Sequence, residues 1–247
     1  MRYAMAVDLD RCIGCRTCAV ICKGHHAQPE GIWWNRVFVP GAPEYGTSVL
    51  NEEGQPRMEF LPVSCQHCDD APCQSVCPTG ATYTDENGAV LVDFERCIGC
   101  RYCMTACPYG VRQFNWGHAE PLPGTDGATY SYGYPAEYRQ DGRLVYTSRR
   151  PEGVVEKCTF CVQYTSQGIE PACCAGCPGN ARIFGDLDDP NSEISRYLEG
   201  RETFVLGKEH GTHPKVFYLK STRGTEDASE LLSAAGVGTA STGTDGE

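Results

Sequence analysis

Asp93 to Cys107 reads DFERCIGCRYCMTAC, and Asp8 to Cys22 reads DLDRCIGCRTCAVIC. Nine of the fifteen positions are identical, so the chain carries an internal repeat. Each copy follows a short apolar stretch, Ala4–Val7 or Ala89–Val92, that reads as a strand. Both copies are C-x2-C-x2-C-x3-C runs. The two-residue spacings let one tight loop present three thiols together, while the fourth lies about one helical turn on and points away. Gly14 and Gly99, between the first two cysteines, suit a loop whose amides close around sulfur.

Two further cysteine groups lie at Cys65, Cys68, Cys73, Cys77 and at Cys158, Cys161, Cys173, Cys174, Cys177. Their spacings open to C-x4-C and C-x11-C before the same C-x3-C-P ending. In the last group only Cys173 leaves three residues before Cys177, so Cys173 is the expected ligand and Cys174 a free, buried thiol. Pro-Thr-Gly-Ala (78–81), Pro-Tyr-Gly-Val (108–111) and Pro-Gly-Asn-Ala (178–181) follow the later groups. The unit is strand, cysteine loop, short helix, turn, strand, which is the ferredoxin plan with proline ending the helix.

A total of 17 cysteines implies disulfides, zinc or iron–sulfur clusters. Disulfide scaffolds are usually small and secreted, and do not explain four similar quartets. Zinc suits pairs of C-x2-C but does not require three ligands followed by a fourth and a proline. The pattern therefore predicts four 4Fe–4S clusters on sixteen thiolates. Cys77 and Cys97 are separated by only one expected turn and strand, so the second and third groups can form one two-cluster unit. Its ligand sets are Cys65, Cys68, Cys73 with Cys107, and Cys97, Cys100, Cys103 with Cys77. By elimination the others are Cys12, Cys15, Cys18 with Cys177, and Cys158, Cys161, Cys173 with Cys22.

The expected architecture is α+β, two ferredoxin-like units each holding two 4Fe–4S clusters, one inserted in the other, with long irregular loops. The outer unit takes residues 1–57 and 154–222, and the inserted unit 58–117. Residues 24–57 are rich in Gly, Pro and aromatics, among them Trp33 and Trp34. Residues 118–153, with Tyr130, Tyr132, Tyr134, Tyr138 and Tyr146, read as a long structured loop or hairpin. Residues 223–247 read as a disordered acidic tail with room for one short helix near Glu230–Ala235. His67 is expected to pack or hydrogen-bond near sulfur rather than bind metal, and His25 and His26 to lie on the surface. Arg11, Arg16, Arg96, Arg101 and Lys157 stand beside cysteines, where cations would stabilise an anionic cluster.

The net charge of −11 argues against nucleic acid as a partner. No apolar run approaches the roughly 18 residues of a membrane span, and residues 1–7 lack the apolar core of a signal peptide. The expectation is a soluble chain or one held at a membrane by a partner. A catalytic site is not expected, because outer-sphere electron transfer needs no general acid or base.

The segments RYAMAVDLDRCIGC, SCQHCDDAPCQSVCPTGA, RCIGCRYCMTACPYGVR, KCTFC and PACCAGCPGNARIFGDLDDP resemble the four-cluster iron–sulfur subunit of molybdopterin oxidoreductases of the dimethyl sulfoxide reductase type. The resemblance covers roughly residues 1–222 and extends to polysulfide, thiosulfate, tetrathionate and arsenate reductases. It implies a molybdopterin-containing catalytic subunit as partner and a membrane-anchor, quinone-binding subunit or other redox partner at the far end. It also implies that the cluster of the first motif lies nearest the catalytic subunit and that of the third at the membrane side. Cys100 stands where some relatives have a replacement and a 3Fe–4S cluster, so four 4Fe–4S clusters are expected. Complexes of this kind are often exported folded on a signal carried by the catalytic subunit. The expected address is peripheral at the cell membrane on the extracytoplasmic side, with the cytoplasm as the alternative. The rival readings are a soluble polyferredoxin shuttle and an electron-transfer subunit of a hydrogenase or formate dehydrogenase.

Overall fold

A computed structural model describes residues 1–40, 49–50, 54–57, 59–117, 137–147 and 151–220. The tail expected at 223–247 and most of the 118–153 insertion lie outside the described residues. Within that insertion Glu137–Gln140 pairs with Arg143–Thr147 in a hairpin, whose Val145 and Tyr146 are buried.

Among the described residues, the one sheet of more than two strands runs in the order Arg182–Asp186, Tyr3–Asp8, Val216–Leu219, Thr203–Phe204. Tyr3–Asp8 pairs antiparallel with the first, Tyr3 opposite Asp186, and parallel with the third, Met5 opposite Val216. A strand flanked on both sides and covered on both faces must be apolar throughout. Its middle, Ala4–Val7, meets that demand: Met5 and Val7 enter the main core, while Ala4 and Ala6 face Ile183, Ile194 and Leu219. The equivalent stretch of the second repeat, Val90–Val92, instead pairs with Thr82–Thr84 in a hairpin of its own.

The repeat is reproduced in backbone detail. Asp8 Oδ1 accepts from the amides of Asp10 and Arg11, and Asp93 Oδ1 from that of Glu95. The amides of Cys12 and Cys97 donate to the carbonyls of Asp8 and Asp93, each at 3.1 Å. Gly14 and Gly99 share φ 67°, and a methyl group there would run into the Phe60 ring and the Gly153 carbonyl respectively. Arg16 and Arg101 follow in the left-handed region at φ 59° and 61°, turning the chain into the helices Thr17–His25 and Tyr102–Thr105.

The helices Pro72–Ser75, Tyr102–Thr105, Val162–Thr165 and Ala172–Ala175 have four residues each, too few to hold together without tertiary support. Trp34, expected in an irregular segment, is instead a core residue at 1% exposure. Its Nε1 donates to Glu156 Oε2 at 3.2 Å, and Glu156 Oε1 accepts from Asn115 Nδ2. No helix among the described residues is long and apolar enough to cross a membrane.

Candidate metal centres

The cysteines gather around separate spaces inside the chain. Cys12, Cys15, Cys18 and Cys177 line one cavity. Cys65, Cys68, Cys73 and Cys107 line a second, and Cys77, Cys97, Cys100 and Cys103 a third. Cys22, Cys158, Cys161 and Cys173 are buried together and act on one another electrostatically. In every quartet three cysteines come from one motif and the fourth from another. All 17 cysteines are unbridged. Among the described residues no three His, Cys, Asp or Glu side chains converge to hold a single metal ion.

Pairwise contacts order the four sites as a row. Arg182 lines the Cys12 cavity, and its Nη1 lies 4.0 Å from Cys173 Sγ. Cys158 and Cys65 act on each other across the next junction. Arg112 lines the Cys65 cavity, donates to Cys73 Sγ at 2.9 Å, and reaches Thr82 Oγ1 on the wall of the last cavity at 3.2 Å. Cys15 at one end and Cys100 at the other are exposed, whereas the cysteines between are buried or half-buried.

The sulfurs are supplied with hydrogen-bond donors. The amides of Thr82, Ala181 and Phe160 point at Cys77, Cys177 and Cys158, and Gln28 Nε2 donates to Cys22 Sγ at 3.2 Å. Donors aimed at sulfur favour the thiolate, the form that binds iron.

A 4Fe–4S dicluster domain pattern matches residues 56–121 with 144–187, and a second pattern of the same description matches residues 11–81. The chain is 43% identical over 222 residues to a dimethyl sulfoxide reductase iron–sulfur subunit of Halobacterium salinarum, covering 88% of this chain and 78% of that one. It is 38% identical to the arsenate respiratory reductase iron–sulfur subunit of a Shewanella species, over 90% of this chain and 97% of the relative. The thiosulfate reductase electron transfer subunit of Salmonella typhi is 41% identical, over 82% of this chain and 84% of the relative. The chain belongs to the iron–sulfur electron-transfer subunits of dimethyl sulfoxide reductase-type oxidoreductases.

The donor set of this iron–sulfur subunit fits 4Fe–4S clusters. Burial, then neighbouring thiols, pushes Cys158 and Cys68 up to about 12. Four such thiols can ionise together in a dry space only if a metal takes the negative charge. In the last motif the two adjacent thiols differ. Cys174 donates to Cys173 and, with help from Arg182 and against burial, holds Cys173 below the ordinary thiol range. The hydrogen bond to Cys173, with burial, holds Cys174 well above the ordinary thiol range.

Two expectations about side chains are corrected. His26 is not a surface residue. It is 1% exposed, its ring lies against Trp34 at 4.7 Å, and Nε2 sits 3.2 Å from Cys161 Sγ. His25 is half-buried with Nδ1 2.8 Å from the Tyr164 hydroxyl. The helix Thr17–His25 ends against the fourth motif, where His25 meets Tyr164 and His26 meets Cys161. Among the cations expected beside sulfur, Arg11, Arg16, Arg96 and Arg101 are exposed. Arg11 and Arg96 pair with Asp8 and Asp93, and Arg101 lies over Trp116. Lys157 is buried, and its Nζ donates to the carbonyls of Val90 and Cys158. His67 packs as expected, stacked on Phe160 at 3.6 Å with Nδ1 accepting from the Val90 amide. Burial and the cations Lys157, Lys215 and Arg112 hold it well below the ordinary imidazole range.

The sequence reading missed Arg112 and Arg182. Both stand five residues after the last cysteine of their motif, Cys107 and Cys177, and Thr82 holds the same place after Cys77. That recurring offset was the available signal.

Proposed function

We propose that the chain carries four 4Fe–4S clusters and relays electrons between a molybdopterin-containing catalytic subunit and a membrane-anchor, quinone-binding subunit, without catalysing a reaction itself. The ligand sets are Cys12, Cys15, Cys18 and Cys177; Cys158, Cys161, Cys173 and Cys22; Cys65, Cys68, Cys73 and Cys107; and Cys97, Cys100, Cys103 and Cys77. They divide the chain into an outer ferredoxin-like unit, 1–57 with 154–222, around an inserted unit, 58–117. The observation that carries this reading is the row of four thiol quartets, closed in the middle and reaching the surface at Cys15 and Cys100.

Bound clusters would supply one-electron storage, with potentials spanning about −700 to +450 mV according to their surroundings. The protein's part is to bury the thiols, aim donors at their sulfurs and fix the order of the row. Both ends also present apolar surface. Ile13 is 61% exposed beside Cys15, and Ile98, Tyr102 and Trp116 are 67%, 59% and 61% exposed around Cys100. Clusters of exposed large apolar side chains mark protein contact sites, which supports a partner at the Cys100 end. We assign the Cys15 end to the catalytic subunit and the Cys100 end to the membrane side, extracytoplasmic by co-export.

The test is metal and partner analysis of the complex purified from its host. About sixteen iron and sixteen inorganic sulfides per chain are expected from four 4Fe–4S clusters, together with a large molybdenum or tungsten protein. Zinc, or half that iron, refutes the cluster count. A chain that purifies alone with full iron supports a soluble polyferredoxin instead.

A further inference from the structure

Arg112 and Arg182 are 3% and 5% exposed, and neither has a carboxylate partner among the described residues. A buried guanidinium is costly unless charge and hydrogen bonds compensate it. Their neutral contacts are modest. Arg182 Nη2 donates to Asn35 Oδ1 at 2.9 Å, and Arg112 Nη1 to Thr82 Oγ1 at 3.2 Å.

What remains to balance each charge is thiolate sulfur, and in each case the sulfur of two sites. Arg112 lines the cavity of Cys65, Cys73 and Cys107, and its Nη1 donates to Thr82, which lines the cavity of the next quartet and aims its amide at Cys77 Sγ. Arg182 faces Cys18 of one quartet and Cys173 of the next. The two arginines occupy the same position of the repeated motif, and each reaches the third cysteine of an irregularly spaced group, Cys73 or Cys173.

We infer that each arginine is a positioning residue shared by two clusters, Arg182 between those of the first and fourth motifs and Arg112 between those of the second and third, and that it raises the reduction potential of both members of its pair together. The inference rests on the four-cluster reading above. Reduction adds one negative charge to a cluster and transfers no proton to a guanidinium, which stays cationic at every accessible pH. A fixed cation beside both clusters therefore stabilises the reduced form of each.

The experiment is an electron paramagnetic resonance redox titration of the full complex carrying Arg182→Gln, Arg112→Gln, or lysine at either position, with iron counted on every sample. In Arg182→Gln two of four clusters should fall in potential, each by at least a tenfold change in the oxidised-to-reduced ratio at fixed poise, about 59 mV for one electron. Arg112→Gln should move the other two, and lysine at either position should restore at least half of the shift. A shift confined to one cluster, an upward shift, the same two clusters moving in both variants, or a lysine variant no better than glutamine overturns the inference. If a glutamine variant loses iron, its lysine counterpart decides: both potentials of the pair must then stay closer to the parent than a tenfold ratio. A parent complex with fewer than four clusters refutes the four-cluster reading itself, so the two failures are distinguishable.

Discussion

Cys173 and Cys174 are adjacent, both buried, and only one belongs to a quartet in the proposed assignment. Replacing each by serine separates them. Cys174 lies on the helix Ala172–Ala175, with its thiol hydrogen-bonded to Cys173. A serine hydroxyl can make the same donation, so Cys174→Ser should keep about sixteen iron per chain and cost less than about 1 kcal/mol. Cys173→Ser removes a thiolate from one cluster and a counter-charge from Arg182, which is 5% exposed. Breaking a buried charge pair costs about 3–5 kcal/mol, and Arg182 retains Cys18 and Asn35, so the low end applies. At about 2–4 °C per kcal/mol for a chain of this size, that is a fall of roughly 6–12 °C in Tm. The assays are iron content, the electron paramagnetic resonance spectrum of the reduced protein, and thermal unfolding. The reasoning is refuted if Cys174→Ser loses a quarter of the iron while Cys173→Ser retains it all.

Two further outcomes follow from the row of sites. Cys100→Ser removes one iron corner at the exposed far end and should convert that cluster to a 3Fe–4S form. Dye-driven activity of the complex should persist while quinol-driven activity falls, and equal loss of both with the complex intact would falsify the assigned direction of the row. Stripping iron with a chelator under reducing conditions should melt the four-residue helices, since each carries or adjoins a ligand cysteine and is too short to stand alone; circular dichroism that stays native after iron falls to zero contradicts this.

Much of the fold was legible because cysteine spacing is a geometric constraint. The strands at 3–8 and 90–92 were readable from apolar runs between polar turns, and the hydrogen-bonded Asp8 and Asp93 explain why aspartate recurs at the start of each repeat. The burial of His26 and Trp34 was not readable. Their segment has no periodicity of its own and is covered by Tyr146 of the distant hairpin and by the fourth motif, contacts separated by more than a hundred residues. Arg112 and Arg182 were overlooked for a related reason. A lone arginine in a sequence reads as surface, and only the ring of thiols around it makes burial tolerable.

The spacing of each motif also carries information about where its site stands in the row. The two compact C-x2-C-x2-C motifs supply the exposed Cys15 and Cys100, each in a tight left-handed loop with no residues to spare for a cover. The two open motifs insert residues between their second and third cysteines. In the fourth motif that insert contains the wholly buried helix Val162–Thr165, and in the second it contains Ala71, a core residue. Cys65, Cys68, Cys73, Cys158, Cys161 and Cys173 are all buried as a result. A compact loop therefore builds a site that can meet a partner, and a lengthened loop builds one that is sealed between neighbours. In the proposed relay, electrons entering at either end would pass two sites whose own motif cysteines are buried, an arrangement that favours delivery to partners over loss to outside oxidants.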